Sequence, residues 1–182
     1  GRIGSLKSVV SHMTGTLFNT ASHIFDLLMR LNDDQPAAWV QAHLPNGDTS
    51  IDGERLTQDP MGHGMIQFEN GVTAYALNSG RGLEVEAIGE RGAVSALGTD
   101  REWRVREEGD SAHGTHRGKE VWVDGVFPSF ERRSSTLRLI EDLVQALDNG
   151  GETRCGVRLA RANNELLFAF VESHVREGAR VE

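Results

Sequence analysis

The 182-residue chain has a single cysteine, Cys155, which excludes an internal disulfide and any zinc site assembled from several thiolates. Nothing in it points to an oxidising compartment, and cytoplasm is the default expectation. Basic residues are also in deficit: 19 Lys and Arg stand against 27 Asp and Glu, for a formal net charge of −8. Binding to phosphate backbones or to an anionic membrane needs a basic footprint, which the scattered arginines, Arg132 and Arg133 included, do not form. No run approaches the roughly 18 apolar residues of a membrane span, and no charged-then-apolar leader opens the chain. Neither nucleic acid nor membrane is expected as a partner.

Two further absences concern cofactors and completeness. A dinucleotide-binding turn needs a glycine-rich passage from strand to helix, so that backbone can approach the pyrophosphate. Gly80-Arg81-Gly82 lacks the third glycine, since position 85 is Val85, and the residues beyond Gly82 read as a strand. No nucleotide cofactor is expected to be held tightly by this chain alone. The sequence opens on Gly1-Arg2-Ile3-Gly4 without an initiator methionine, and it is expected to be part of something longer.

What is present is ordinary globular material, 38% hydrophobic and 25% charged, enough for one core over residues 1–182. Leu6 to His12 reads as a first strand. The stretch GTLFNTASHIFDLLMRL, Gly15 to Leu31, then reads as a helix in which Ile24, Leu27, Leu28 and Leu31 face inward. Asn19, His23, Asp26 and Arg30 recur at spacings of four, three and four and share roughly one side, which is suited to lining a site. A purely structural role, in which His23 and Asp26 bond to each other or to backbone, fits the same spacing. The loop Asn32 to Pro36 ends the helix, and Ala37 to His43 reads as a second strand.

Pro45 to Pro60 is rich in Asn, Gly, Asp and Thr and reads as a long loop or an irregular excursion. Beyond it the period changes to two. Met65 to Phe68 and Val72 to Asn78 flank Asn70-Gly71, the signal of a type I′ hairpin. Leu83 to Ile88 and Ala93 to Leu97 flank a second hairpin, and Trp103 to Arg106 and Glu120 to Phe127 read as further strands around a polar loop, Glu107 to Gly118. Two helices close the chain. One carries Leu137, Ile140, Leu143, Val144 and Leu147 between a Ser134 or Ser135 cap and Gly150-Gly151, and the other runs from Leu159 through Ser173 to end at Gly178.

This order implies an α+β domain, a mostly antiparallel open β-sheet with helices packed on one face. Thr73, Tyr75 and Leu77 lie on one side of their strand and Val72, Ala74 and Ala76 on the other, so the second face of the sheet is also partly apolar. Homo-oligomerisation through that face is expected.

Competing motifs carry less. His113-Gly-Thr-His116 sits in a polar loop without a nearby cysteine or helical spacing, so no metal site is expected. Glu141 and Asp142 read as a solvated helix face, Glu172 with Arg176 as an exposed ion pair, and Ser173-His174 as part of a packed helix, since no elbow turn presents that serine.

Several of these segments, in this order, carry a family resemblance. They are G-R-I-G-S-L, the G-x-L-x-N-x-x-S-H-x-x-D-L-L helix, G-M-I-Q-F-E-N-G-V-T-A-Y from Gly64 to Tyr75, E-A-I-G-E-R-G-A-V, and the final E-x-x-x-A-F-x-x-S-H helix. Together they resemble the C-terminal domain of the glucose-fructose oxidoreductase / inositol dehydrogenase / MocA family, over nearly the whole chain. The fold this implies is similar to the C-terminal domains of dihydrodipicolinate reductase and glyceraldehyde-3-phosphate dehydrogenase.

The resemblance implies a two-domain NAD(P)-dependent oxidoreductase acting on a sugar, cyclitol or related polyol. Its N-terminal Rossmann dinucleotide-binding domain, and with it NAD or NADP, would lie outside this chain. The Glu-Lys-Pro lysine of that first domain is absent here, Lys7 and Lys119 having no comparable context, so the isolated chain is expected to be inactive. The family's catalytic histidine falls on His23, and its frequent acidic partner four residues earlier falls on Asn19, an amide that can orient a hydroxyl but cannot raise the basicity of a histidine. Asp26 matches a recurrent aspartate for which a supporting role is expected. Alcohol oxidation leaves a proton to be accepted, and an imidazole, with an ordinary pKa near 6.5, suits that task. The alternative is a non-catalytic sugar-binding or assembly module that kept the fold.

Overall fold

In the computed structural model, residues 1–53, 55–99, 101–109 and 122–182 are described; His113, His116 and Lys119 lie outside them. Strand β1 (Leu6–Met13) leads through a π-helical turn (Leu17–Ala21) into α1 (Ser22–Leu31), followed by β2 (Ala37–His43). Next come one helical turn, α2 (Gly47–Ser50), and a minimal hairpin of β3 (Ile51–Asp52) and β4 (Arg55–Leu56). The sheet then continues through β5 (His63–Phe68), β6 (Thr73–Asn78), β7 (Glu84–Gly89), β8 (Gly92–Leu97), β9 (Glu102–Glu108) and β10 (Trp122–Gly125), before α3 (Ser135–Asn149) and α4 (Val157–Val175).

Eight strands form one sheet in the order β10-β9-β8-β7-β1-β6-β5-β2. Every neighbouring pair is antiparallel except β1 with β6, which run parallel in the register Val9 to Ala74 and Ser11 to Ala76. The α+β class and the mostly antiparallel sheet are thus as the sequence implies.

The period-two pattern decides which side of the sheet is covered. Val9 and Met13 of β1, Val40 and Ala42 of β2, Ile66 and Phe68 of β5, and Ala74 and Ala76 of β6 are buried under α1 and α4. Phe25 of α1 meets Phe170 of α4 with ring centroids 4.7 Å apart, which locks the two helices together over the sheet. The same alternation turns Tyr75, 38% exposed, to the open face.

Four local readings are corrected. The inward face of α1 is Ile24, Phe25, Leu28 and Met29, with Leu27 half-buried; Leu31 is 39% exposed, because it is the last helical residue, where the chain turns away through Asn32. The Asn70-Gly71 hairpin is not type I′, because only Gly71 has positive φ (87°). The amide of Gly71 bonds to the carbonyl of Phe68, and the Phe68 amide to the carbonyl of Val72, which is a three-residue loop with glycine at the left-handed position. Asn70 is held there by a paired amide contact with Asn32 at 2.8 and 3.3 Å. Of the two readings of Pro45 to Pro60, the plain loop gives way to the irregular excursion, which contains α2 and the β3-β4 hairpin. Asp142 is not solvated: its carboxylate accepts the Arg154 amide at 2.8 Å, while Glu141 pairs with Arg133.

Of the two closing helices, α3 starts and stops where its signals lie, whereas α4 ends at Val175, three residues before Gly178. Ser134 caps α3 by accepting the Leu137 amide, and Gly150 ends it in the left-handed region. None of α3's residues is buried, however, so its apolar stripe does not join the core. At the β2 edge of the sheet α4 docks through Ser173, which is fully buried. The Ser173 hydroxyl accepts the Ala42 amide at 2.9 Å and donates to the Ala179 carbonyl at 2.7 Å, so it is a packing latch and not a nucleophile. The Ser173→Ala variant is expected to lose about 1–3 kcal/mol of stability, because the buried Ala42 amide loses its partner; a urea titration of the protein measures this.

Candidate functional site

The π-helical turn is built from both sides. Gly15 ends β1 at φ 124°, a conformation reserved for glycine, and a side chain there would also collide with the Thr20 hydroxyl. The Gly15 carbonyl accepts Asn78 Nδ2 at 2.6 Å, which ties the turn to the end of β6. The amides of Thr20 and Ala21 both reach the Thr16 carbonyl, the second spanning five residues and so widening the turn.

The free amides at the start of this turn need acceptors, and a distant residue supplies them. The Asp59 carboxylate accepts the Thr16 hydroxyl at 2.5 Å and the amides of Phe18 and Asn19, each at 2.9 Å, while the Pro60 carbonyl accepts the Leu17 amide at 2.7 Å. A carboxylate at a helix N-terminus also meets the favourable end of the helix dipole. Asp59 acts across a separation of about 40 positions (Asn19 to Asp59), so no local spacing could have singled it out; the only signal was an Asp-Pro step closing a polar stretch.

Beyond the turn, Asn19 and His23 are both exposed. Ser22, between them in the chain, donates its hydroxyl to the Asn19 carbonyl at 3.0 Å, and its own carbonyl accepts Asn163 Nδ2 from α4 at 2.7 Å. Phe18 meets Phe168 of α4 edge-on at 5.2 Å, so the backbone under Asn19 and His23 is braced from the neighbouring helix as well. Asp26 is half-buried one turn further on, and among the described residues no hydrogen bond joins it to His23. Arg30 is engaged elsewhere: it pairs with Asp34 at 2.8 Å and donates to the Arg154 carbonyl. The polar side of the helix therefore divides into an open Asn19/His23 end and a closed Arg30 end.

A second polar group lies at the end of the edge strand. His43 and His63 are directly opposed in the β2-β5 register with rings 5.5 Å apart, and His174 of α4 lies 5.5 Å from His43 on its other side. Together with Gln41, Asp48 and Tyr75 they line a cavity of about 910 Å³. His174 Nδ1 accepts the Leu44 amide at 3.4 Å, and its Nε2 lies 3.7 Å from Asp48. Burial, with a smaller contribution from His43, holds the His63 pKa below the ordinary histidine value. Sequence reading missed this cluster because its three histidines come from three elements. Among the described residues no group of three or more His, Cys, Asp or Glu side chains is arranged to hold a metal. Nor is any described helix long and apolar enough to cross a membrane.

The fold is thus a mostly antiparallel sheet backed by two helices, with a histidine and an amide presented on a braced turn. Gly80 and Gly82, both at positive φ, lead into the strand β7 and not into a helix. Residues 8–182 match the model of the oxidoreductase family, C-terminal alpha/beta domain, and the chain belongs to that family.

No curated protein matches the sequence. Among solved structures, the chain is similar to the aldose-aldose oxidoreductase from Caulobacter crescentus, complexed with glycerol, at TM-score 0.69 and 16% identity, over 100% of this chain and 57% of that one. It is also similar to levoglucosan dehydrogenase in complex with NADH and L-sorbose, at TM-score 0.69 and 19% identity, over 100% and 59%. An NAD binding oxidoreductase from Klebsiella pneumoniae gives TM-score 0.70 and 16% identity, over 100% and 59%. The chain therefore spans less than two thirds of the length of these proteins. At such identities the likeness is one of fold.

Two outcomes are expected of this geometry. Asp59→Ala is expected to cost about 1–2 kcal/mol, the loss of a helix cap, and to speed hydrogen exchange at the Phe18 and Asn19 amides, read by NMR. For His63, a folded pKa below the unfolded value means that the native state binds fewer protons. Its contribution to stability is complete above about pH 6.5 and is lost as pH falls through the lower native value. Thermal unfolding followed from pH 7.5 to 5 is expected to show a falling midpoint, with a shallower fall in His63→Gln.

Proposed function

We propose that this chain is the substrate-side domain of an NAD(P)-dependent oxidoreductase that acts on a sugar, cyclitol or related polyol. The observation that carries this reading is the exposed pair Asn19 and His23, presented on a turn held by Asp59 from one side and by Asn163 from the other. Family membership, and the sugar, polyol and NADH named for the solved relatives, support it.

His23 is assigned as general base in alcohol oxidation: its imidazole takes the hydroxyl proton as the carbon gives up hydride, and it returns that proton in the reverse direction. Asn19 orients the reacting hydroxyl with its side-chain amide. Asp26, without a hydrogen bond to His23, is assigned a supporting role on α1 rather than a part in a relay. NAD or NADP, held by an N-terminal dinucleotide-binding domain of the same polypeptide, is the hydride acceptor. The sheet face that displays Met65, Tyr75 and Val10 in one cross-strand row is assigned to homo-oligomer contacts.

The test is steady-state turnover of the full-length protein on a panel of polyols. His23→Ala is expected to lower kcat by about 10²- to 10⁴-fold, and Asn19→Ala to act mainly on KM. Wild-type turnover in His23→Ala would overturn the assignment. Saturable polyol binding with no turnover in the wild-type protein would instead favour a binding module.

A further inference from the structure

Helix α3 is amphipathic, yet its apolar side is uncovered. Leu137, Ile140, Leu143, Val144 and Leu147 are 46–73% exposed, and no residue of the helix is buried. A helix of 15 residues is marginal in water by itself and owes its stability to packing of its apolar face. That packing is missing within the described residues.

The tether shows which way the stripe points. Asp142 holds the Arg154 amide, and the Arg154 carbonyl is held by Arg30 at the C-terminal end of α1. At about 3.6 residues per turn, Leu137, Ile140, Val144 and Leu147 lie on the side of α3 opposite Asp142. The helix is thus fastened by its polar side, and no described residue of the domain covers its apolar side.

We infer that the α3 stripe is the docking surface for the dinucleotide-binding domain of the same polypeptide. This rests on the proposed function, and two observations favour that occupant. This chain covers 57–59% of the solved relatives, so the remainder of each relative's length lies outside what it spans. Further, α3 is anchored to Arg30, on the helix that carries His23, and the two residues are about 10 Å apart along the axis at 1.5 Å per residue. A domain of about 30 Å seated on α3 reaches along α1 to His23, beside which the substrate carbon has to meet its hydride acceptor. Contact through α3 then sets the distance between the two halves of the active site.

The experiment is amide hydrogen exchange by mass spectrometry on the full-length protein, wild type and I140E/V144E, with particle mass, NADH binding and turnover measured alongside. Under this inference residues 135–149 exchange slowly in the wild type and fast in the variant. NADH binding and particle mass are unchanged, and kcat/KM falls by about 100-fold, the cost of misplacing reacting groups by an ångström. Free exchange of α3 in the wild type overturns the inference, and this needs no variant to fold. A variant with half the wild-type particle mass also overturns it, because a second copy then covers the stripe. Slow exchange that the variant abolishes, in a protein that oxidises no polyol, supports the docking surface and overturns only the function.

Discussion

At the centre of the sheet β1 and β6 run parallel, and much else depends on that pairing. Parallel neighbours cannot be joined by a hairpin; the chain has to travel back along the sheet before the second strand begins. Residues 14 to 72 make that journey, and α1 lies on it, packed on the sheet beside α4. Both strands finish at the same end, where the Asn78 side chain of β6 holds the carbonyl of Gly15 just beyond β1. The turn that displays Asn19 and His23 is built there, outside the carboxyl ends of a parallel pair, a place where ligand sites recur in sheets with parallel strands.

Rigidity at this point comes from groups far apart in the chain. Asp59 satisfies the amides that open the π-helical turn, Asn163 holds the carbonyl at its far end, and Phe168 packs on Phe18. Each is individually modest, since a net hydrogen bond contributes only about 1 kcal/mol. Together they leave the backbone below His23 little freedom, and orientation of this kind is what positions a catalytic group. Helix α3 is the opposite case: its ends are well capped, but its apolar side has no partner among the described residues.

Much of the chain was legible because its elements carry their own periodicity. β2 starts and ends where the alternation of Ala37 to His43 says, and α3 runs between its serine cap and its glycine stop. Glu172 and Arg176 pair across one helical turn as expected at 2.6 Å. The misreadings fall where non-local contacts decide. The loop around Asn70 took its shape from Asn32, some 40 positions earlier, and Asp142 took its environment from the chain beyond the glycine stop.

The sequence by itself determined the fold class, the helix that bears His23, and the absence of a dinucleotide turn around Gly80, because strand alternation, helical spacing and glycine placement act over a few residues. Only the tertiary structure decided that Asp59 caps the turn below Asn19, that Ser173 is a latch, that three histidines gather at the sheet edge, and that the stripe on α3 faces outward. Those facts depend on hydrogen bonds and burial between segments far apart in the chain, and spacing along the sequence carries no record of them.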